Sequence, residues 1–163
     1  MSVPSQMMSP HHQEERITKN YLTDAQIREA ATALSGKVSR AYKGIVAITR
    51  GGLMTALLLA ENLTIKDIRT ISVSSYREDG QRGSLSIIYQ PDLGDGGTGY
   101  LFVDDLVDSG QTLRWMRNLY PKATFAVLYA KPEGKDAADV FAVEVPQDEW
   151  LVFPWEPDWI VKS

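Results

Sequence analysis

An α/β fold with a central, mainly parallel sheet flanked by helices is what the sequence predicts, on three observations. A short apolar run, Gly44-Ile-Val-Ala-Ile-Thr49, passes through Arg50-Gly51-Gly52 into the helix-forming segment 53–62. A second, Tyr100-Leu-Phe-Val103, passes through two acids and an Asp108-Ser109-Gly110 turn into the helix-forming segment 113–120. Further strand-like runs at 70–75, 123–130 and 139–145 supply the rest of a sheet. Strands alternating with helices through short glycine turns are how parallel α/β units read in sequence.

Taken in order, residues 1–15 are rich in Ser, Pro, Gln, Met and His without any period and read as a mobile tail; 16–163 read as one domain. Thr23 and Gln26 have the spacing of a capping box. Ile27, Ala30, Ala31, Leu34 and Val38 follow at helical intervals, so a first helix begins there. Arg50 and Gly51 stand at the carboxyl end of a strand, where open parallel sheets bind their ligands, although a surface arginine beside a structural turn would look the same. Residues 76–99 hold six glycines, four acids and two arginines, with a hairpin strand at 84–89 between strong turn signals. So long a connection in a compact domain reads as a lid, with Arg82 near its tip. The run 123–130 ends at Lys131-Pro132, where the proline stops further pairing. The remaining stretch, 146–163, holds three of the four tryptophans in a Pro-rich, non-periodic context. It reads as a hood over the sheet, whose tryptophans either anchor the chain or a subunit contact, or offer a planar ligand a stacking face.

Composition narrows the function. The chain has 163 residues, 44% of them hydrophobic, and its 17 basic and 21 acidic residues leave a formal charge of −4. No Lys/Arg run marks a nucleic-acid partner. Without cysteine there are no disulfides or thiolate metal sites, which fits a reducing cytoplasm. No stretch approaches the roughly 18 apolar residues of a membrane span, and the N-terminus lacks the apolar core of a signal peptide. His11 and His12 are the only histidines and fall short of the ligands a structural metal site needs. Catalytic triads, the P-loop and the dinucleotide glycine motif are all absent, so acyl and hydride transfer find no support.

The chemistry concentrates in Tyr100-Leu-Phe-Val-Asp104-Asp105-Leu-Val-Asp108-Ser109-Gly110-Gln111-Thr112. A helix start presents free N–H groups and the positive end of a dipole, and so favours a phosphate. Ser109 and Thr112 add hydroxyls, and Gly110 lets the backbone curl into a nest. Asp104 and Asp105 would repel a bare phosphate; sugar hydroxyls or a divalent cation suit them. Together these features spell a ribose phosphate ligand. Two alternatives stand beside it: a solvated acidic pair with Asp108 or Ser109 as a simple helix cap, and a receiver domain. The second needs a further phosphoacceptor aspartate at another strand end, and none is found.

The segment 102–112 resembles the phosphoribosyl-diphosphate signature of type I phosphoribosyltransferases. Thr49-Arg-Gly-Gly-Leu53, Ser74-Ser-Tyr76, Gln81-Arg82, Tyr129-Ala-Lys-Pro132 and Val145-Pro-Gln-Asp-Glu-Trp150 with Pro154-Trp155 extend the likeness to the bacterial xanthine-guanine branch. The resemblance, from about residue 23 to 155, implies a type I phosphoribosyltransferase fold with a lid hairpin and a C-terminal hood. It implies Mg²⁺-dependent transfer of a phosphoribosyl group from its diphosphate to N9 of guanine, xanthine or hypoxanthine. Asp108, Ser109, Gly110, Gln111 and Thr112 would cradle the 5′-phosphate; Asp104 and Asp105 would meet the ribose and the metal, with Asp105 nearest the Mg²⁺. Arg50, Gly51 and Arg82 would receive the diphosphate, with a cis peptide at Arg50-Gly51. Lys131 would donate to the 6-oxygen, Trp150 would stack on the base, and the Leu151 backbone would touch its C2 edge. Asp108 would also be the catalytic proton acceptor beside N7. A homotetramer or homodimer, a cytoplasmic place and peripheral membrane association are further implications. Ser109 and Gln111 replace a Thr and a Gly of the bacterial pattern, and Val152 replaces a carboxylate near C2. A non-catalytic regulator sensing phosphoribosyl diphosphate on the same fold is the alternative, which the acidic balance disfavours.

Overall fold

The computed structural model describes residues 17–39, 41–76 and 84–157. Among these residues eight strands and three α-helices follow in the order β1 (Thr18–Tyr21), α1 (Asp24–Lys37), β2 (Gly44–Thr49), α2 (Gly52–Leu63), β3 (Ile68–Tyr76), β4 (Ser84–Tyr89), β5 (Tyr100–Val107), α3 (Gln111–Leu119), β6 (Thr124–Ala130), β7 (Val140–Glu144) and β8 (Glu149–Val152). Six strands form one sheet in the order β4-β3-β2-β5-β6-β7. All its neighbours pair parallel except β3 and β4.

Period-two alternation decides the layering. Ile45, Ala47, Leu101 and Val103 pack on one face with Ile27, Ala31 and Leu34 of α1 and Ala56 and Leu59 of α2. Val46, Ile48, Phe102 and Phe125 pack on the other with Leu113 and Met116 of α3. Phe102 and Phe125 are fully buried with ring centroids 5.1 Å apart. Each contributes about 1.5–3 kcal/mol by leaving water. A sheet covered on both faces explains why the central strands read as unbroken apolar runs. The capping box forms as the sequence predicts: Gln26 N–H donates to Thr23 Oγ1 at 3.2 Å, and Thr23 N–H to Gln26 Oε1 at 2.8 Å.

Connectivity then locates a crevice. From β2 the chain crosses through α2 outward to β3; from β5 it crosses through α3 to β6, on the opposite side. The carboxyl ends of β2 and β5 are therefore a topological switch point.

Two elements depart from the sequence reading. β1, where the sequence predicts no element, and β8, inside the non-periodic hood, pair parallel in a separate two-stranded sheet with Thr18 opposite Glu149 and Tyr21 opposite Val152. Within 76–99, β4 lies on the sheet edge, but 90–99 packs on Tyr120 and Ala123 at the amino end of β5. There the Tyr120 hydroxyl donates to the Pro91 carbonyl at 3.3 Å, and Lys122 N–H to Gly96 at 2.9 Å. The hairpin tip 77–83, and Arg82 with it, lies outside the described residues, as do the tail 1–15 with His11 and His12 and the hood's last residues, 158–163.

One core group is mismatched with its surroundings. Thr55 of α2 is fully buried, yet its hydroxyl has no partner among the described residues. A buried unsatisfied hydroxyl costs about 1–3 kcal/mol. Valine keeps the branched shape without the polar atom. Thr55→Val is expected to leave the fold intact and raise stability by up to about 1 kcal/mol, read by urea denaturation.

Candidate active site

At the switch point β5 outlives its neighbour. β2 pairs with it only from Gly44–Tyr100 to Ala47–Val103, then turns away. β5 runs on to Val107, held on one side by β6 through Asp104–Val127, Leu106–Tyr129 and Val107–Ala130. The sequence reading ended the strand before the acids, but Asp104 and Asp105 are part of it. Leaving β2 opens the ladder on the other side, and α2 starts in the space.

Two glycines let α2 start so close. A Cβ on Gly52 would run into the Val103 carbonyl oxygen, and one on Gly51 would lie 2.6 Å from each carboxylate oxygen of Asp105. The cis peptide precedes Arg50 rather than following it, joining Thr49 to Arg50. The turn is thus made at the last residue of β2, and Arg50 is exposed beyond it.

The acid pair is short of positive charge. Asp105 N–H donates to Asp104 Oδ1 at 2.9 Å, and no basic side chain among the described residues bridges to either carboxylate. Burial, then the Asp105 charge, pushes the Asp104 carboxyl well above the usual carboxylate range. Burial raises Asp105 as well. Glu156 in the hood is raised by burial, with the Asp105 charge adding to it. Desolvated carboxylates facing one another favour a cation or hydroxyl donors. Among the described residues no three metal-ligating side chains cluster enough to hold a metal alone. Mg²⁺ is commonly held by one or two carboxylates together with substrate oxygens and water, so this donor set fits it.

Asp104 and residues 106–113 line a concavity of about 150 Å³. Gly110, at φ +84°, turns the chain into α3, which begins two residues earlier than predicted, at Gln111. Neither α2 nor α3 has a hydrogen bond from its cap side chain, and in the first turn of α2 the Leu53 N–H donates to the Arg50 carbonyl at 3.1 Å. Ser109 Oγ sits 3.4 Å from Gln111 N, and the Gln111 side chain is exposed, so it does not fill the loop.

A second turn, after β6, backs this loop. Lys131 is buried, with Nζ 3.4 Å from Asp108 Oδ2, while Asp108 itself is 60% exposed. Gly134 comes so close that a Cβ would strike the Asp108 carbonyl. Arg114 ties the two turns together, donating to the carbonyls of Ser109 at 2.7 Å and Glu133 at 3.2 Å. The Gln147 side chain joins Glu133 to Asp108. In the hood, Trp150 on β8 is 48% exposed, whereas Leu151 and Val152 are buried.

A sequence model of the phosphoribosyl transferase domain matches residues 14–161. The chain belongs to this family. Among curated phosphoribosyltransferases, the xanthine-guanine phosphoribosyltransferase of Ruegeria sp. is 49% identical over 71% of this chain and 69% of its own length. That of Gluconobacter oxydans is 49% identical over 71% and 69%. Solved phosphoribosyltransferases share the fold. A purine phosphoribosyltransferase from Pyrococcus horikoshii superposes with TM-score 0.71 at 31% identity, over 85% of this chain and 95% of that one. The Helicobacter pylori xanthine-guanine-hypoxanthine enzyme gives 0.74 at 25% identity, over 88% and 97%.

Placed in this phosphoribosyltransferase frame, the predicted residues fall into two groups and two outliers. Asp104, Asp105, Gly51 and Arg50 meet at the β2–β5 crevice; Asp108 to Thr112 and Lys131 form the adjoining turn pair. Trp150 and Leu151 come in on the hood. Arg114, Gly134, Gln147 and Glu156 were missed. Only Gln147 left a trace in sequence, within Val145-Pro-Gln-Asp-Glu-Trp150; the others act through contacts that no local pattern encodes.

Proposed function

We propose that this chain is a purine phosphoribosyltransferase that moves the 5-phosphoribosyl group of phosphoribosyl diphosphate to N9 of a 6-oxopurine, releasing diphosphate and the nucleoside monophosphate. One observation carries the reading: two uncapped helix starts flank a desolvated acid pair, and a buried lysine stands on the turn behind. Helix starts suit the phosphate and diphosphate groups. The acids suit ribose hydroxyls and Mg²⁺, with Asp105 as the metal's carboxylate. When bound, Mg²⁺ would supply positive charge to the diphosphate.

The residues divide the work. The 108–112 turn holds the 5′-phosphate through backbone amides and the Ser109 and Thr112 hydroxyls. Arg50 and the amide groups near Gly51, with Arg82 from the hairpin tip, receive the diphosphate as it takes the electron pair of the breaking C1′–O bond. N9 forms the new bond to C1′, and the proton on N7 passes to Asp108. Lys131 donates to the 6-oxygen, which an amino purine cannot accept. Trp150 covers the base, and the Leu151 backbone meets its C2 edge. A cytoplasmic homotetramer or homodimer belongs to the same reading. It is supported by exposed Leu53 and Leu57, one turn apart on α2, and by Ile88 and Tyr89 on the edge strand.

The test is spectrophotometric, with phosphoribosyl diphosphate, Mg²⁺ and guanine, hypoxanthine, xanthine and adenine in parallel. Turnover of oxopurines but not adenine, lost without Mg²⁺ and in Asp108→Asn, is expected. Binding of phosphoribosyl diphosphate with no base turned over would sink the assignment.

A further inference from the structure

Asp108 is an exposed side chain with both of its oxygens engaged. Gln147 Nε2 donates to Oδ1 at 2.8 Å, and Lys131 Nζ stands 3.4 Å from Oδ2. The contacts are unequal, since the first is a well-formed hydrogen bond and the second is at the long limit. The Gln147 amide is also fixed in direction. Its Oε1 accepts the Glu133 N–H at 3.0 Å, a contact only the oxygen end can make, so the NH₂ end faces Asp108. The backbone presenting it is pinned as well. Val145 N–H donates to the Ala130 carbonyl at 3.0 Å, and Glu149 N–H to that of Pro146 at 3.2 Å.

We propose that Gln147 is a positioning residue for phosphoribosyl transfer: it occupies Oδ1 of Asp108, holds the carboxylate in one rotamer and leaves Oδ2 to the purine. This rests on the reading of Asp108 as the proton acceptor. A proton acceptor must be aimed, and an exposed aspartate samples several rotamers unless something holds it. Lys131 cannot do this alone, because the same ammonium is drawn to the 6-oxygen when a base arrives. Gln147 is the contact that stays. As a neutral amide it orients the carboxylate without neutralising it.

Two variants separate aiming from simple bracing. Gln147→Leu removes both contacts. Gln147→Glu keeps an oxygen for the Glu133 N–H but sets a second carboxylate against Asp108. Both are expected to lower kcat roughly tenfold or more, with KM for each substrate within about threefold. The glutamate variant should do so while melting near the parent temperature. Wild-type kcat in Gln147→Glu, with only Gln147→Leu impaired, would reduce the side chain to a brace for Glu133 and overturn the proposal.

A readout independent of turnover is the set of three-bond NMR couplings about χ1 of Asp108. They are expected to report one rotamer in the parent and averaging in Gln147→Leu. Unchanged couplings overturn the proposal even in an active enzyme. Averaged couplings in a chain that turns over no purine would overturn the reaction assigned here, and Gln147's part in it, while leaving the contact itself standing.

Discussion

Asparagine at both 104 and 105 is expected to raise the thermal midpoint of the ligand-free chain at neutral pH while cutting phosphoribosyl transfer by roughly 100-fold or more. The stability gain follows from the direction of the two shifts. Both carboxyls hold their protons to higher pH in the folded chain than in the unfolded one, chiefly through burial. As pH rises from the ordinary carboxylate range through the raised folded values, the pair ionises in place and the folded state loses stability. Below that window the penalty is absent. The midpoint difference between variant and parent should therefore be largest at neutral pH and vanish toward acid. The backbone contact survives the substitution, because an asparagine oxygen at 104 still accepts the backbone N–H of residue 105. Mg²⁺ with phosphoribosyl diphosphate should raise the midpoint of the parent and do little for the variant. Scanning calorimetry from acid to neutral pH, with and without those ligands, checks each part; a parent that is more stable than the variant at neutral pH contradicts it. Groups placed for function are commonly held at a cost to stability.

Gly52→Ala should be strongly damaging for so small a change, lowering stability by about 3 kcal/mol and activity with it. The added methyl would collide with the Val103 carbonyl and press on the Asp104 backbone, both parts of a central strand. Neither can yield as a flexible side chain would. α2 must lift, and with it Gly51, against which the Asp105 carboxylate is packed. Gly36→Ala is the control: nothing lies within 4 Å of a Cβ there, and in a helix alanine is favoured over glycine by about 1 kcal/mol. Urea midpoints of the two variants should move in opposite directions.

Much of this architecture is legible in the order of residues. The apolar runs that became β2, β5 and β6 are buried on both faces, so each stands out as an unbroken apolar stretch bounded by turn residues. The Thr23–Gln26 cap is local by nature. Asp104 to Thr112 are neighbours in sequence, and a strand, a turn and a helix suffice to gather them. What escaped depends on partners far along the chain. β1 and β8 are four residues each, and Thr18-Lys-Asn-Tyr21 has neither alternation nor apolar content to mark it. β5 continues through its acids only because β6 supports one side after β2 has left. Gln147 and Glu156 gain their places from the hood's path over the sheet. Gly134 looks like any loop glycine until the turn at 108–112 is seen lying against it.

The pairing of β1 with β8 bears on the order in which the molecule assembles. Asn20 and Glu149, whose side chains join at 2.5 Å, are 129 residues apart. Closing so large a loop is entropically costly, and four cross-strand pairs with Leu22, Leu151 and Phe153 packed on the core repay it only once that core exists. The strand that carries Trp150 should thus dock after the main sheet has formed and detach before it melts. Amide exchange would find β1 and β8 opening together as one unit, ahead of the six-stranded sheet. If the base binds as proposed, it would meet a surface that breathes while the 108–112 turn beneath it stays rigid.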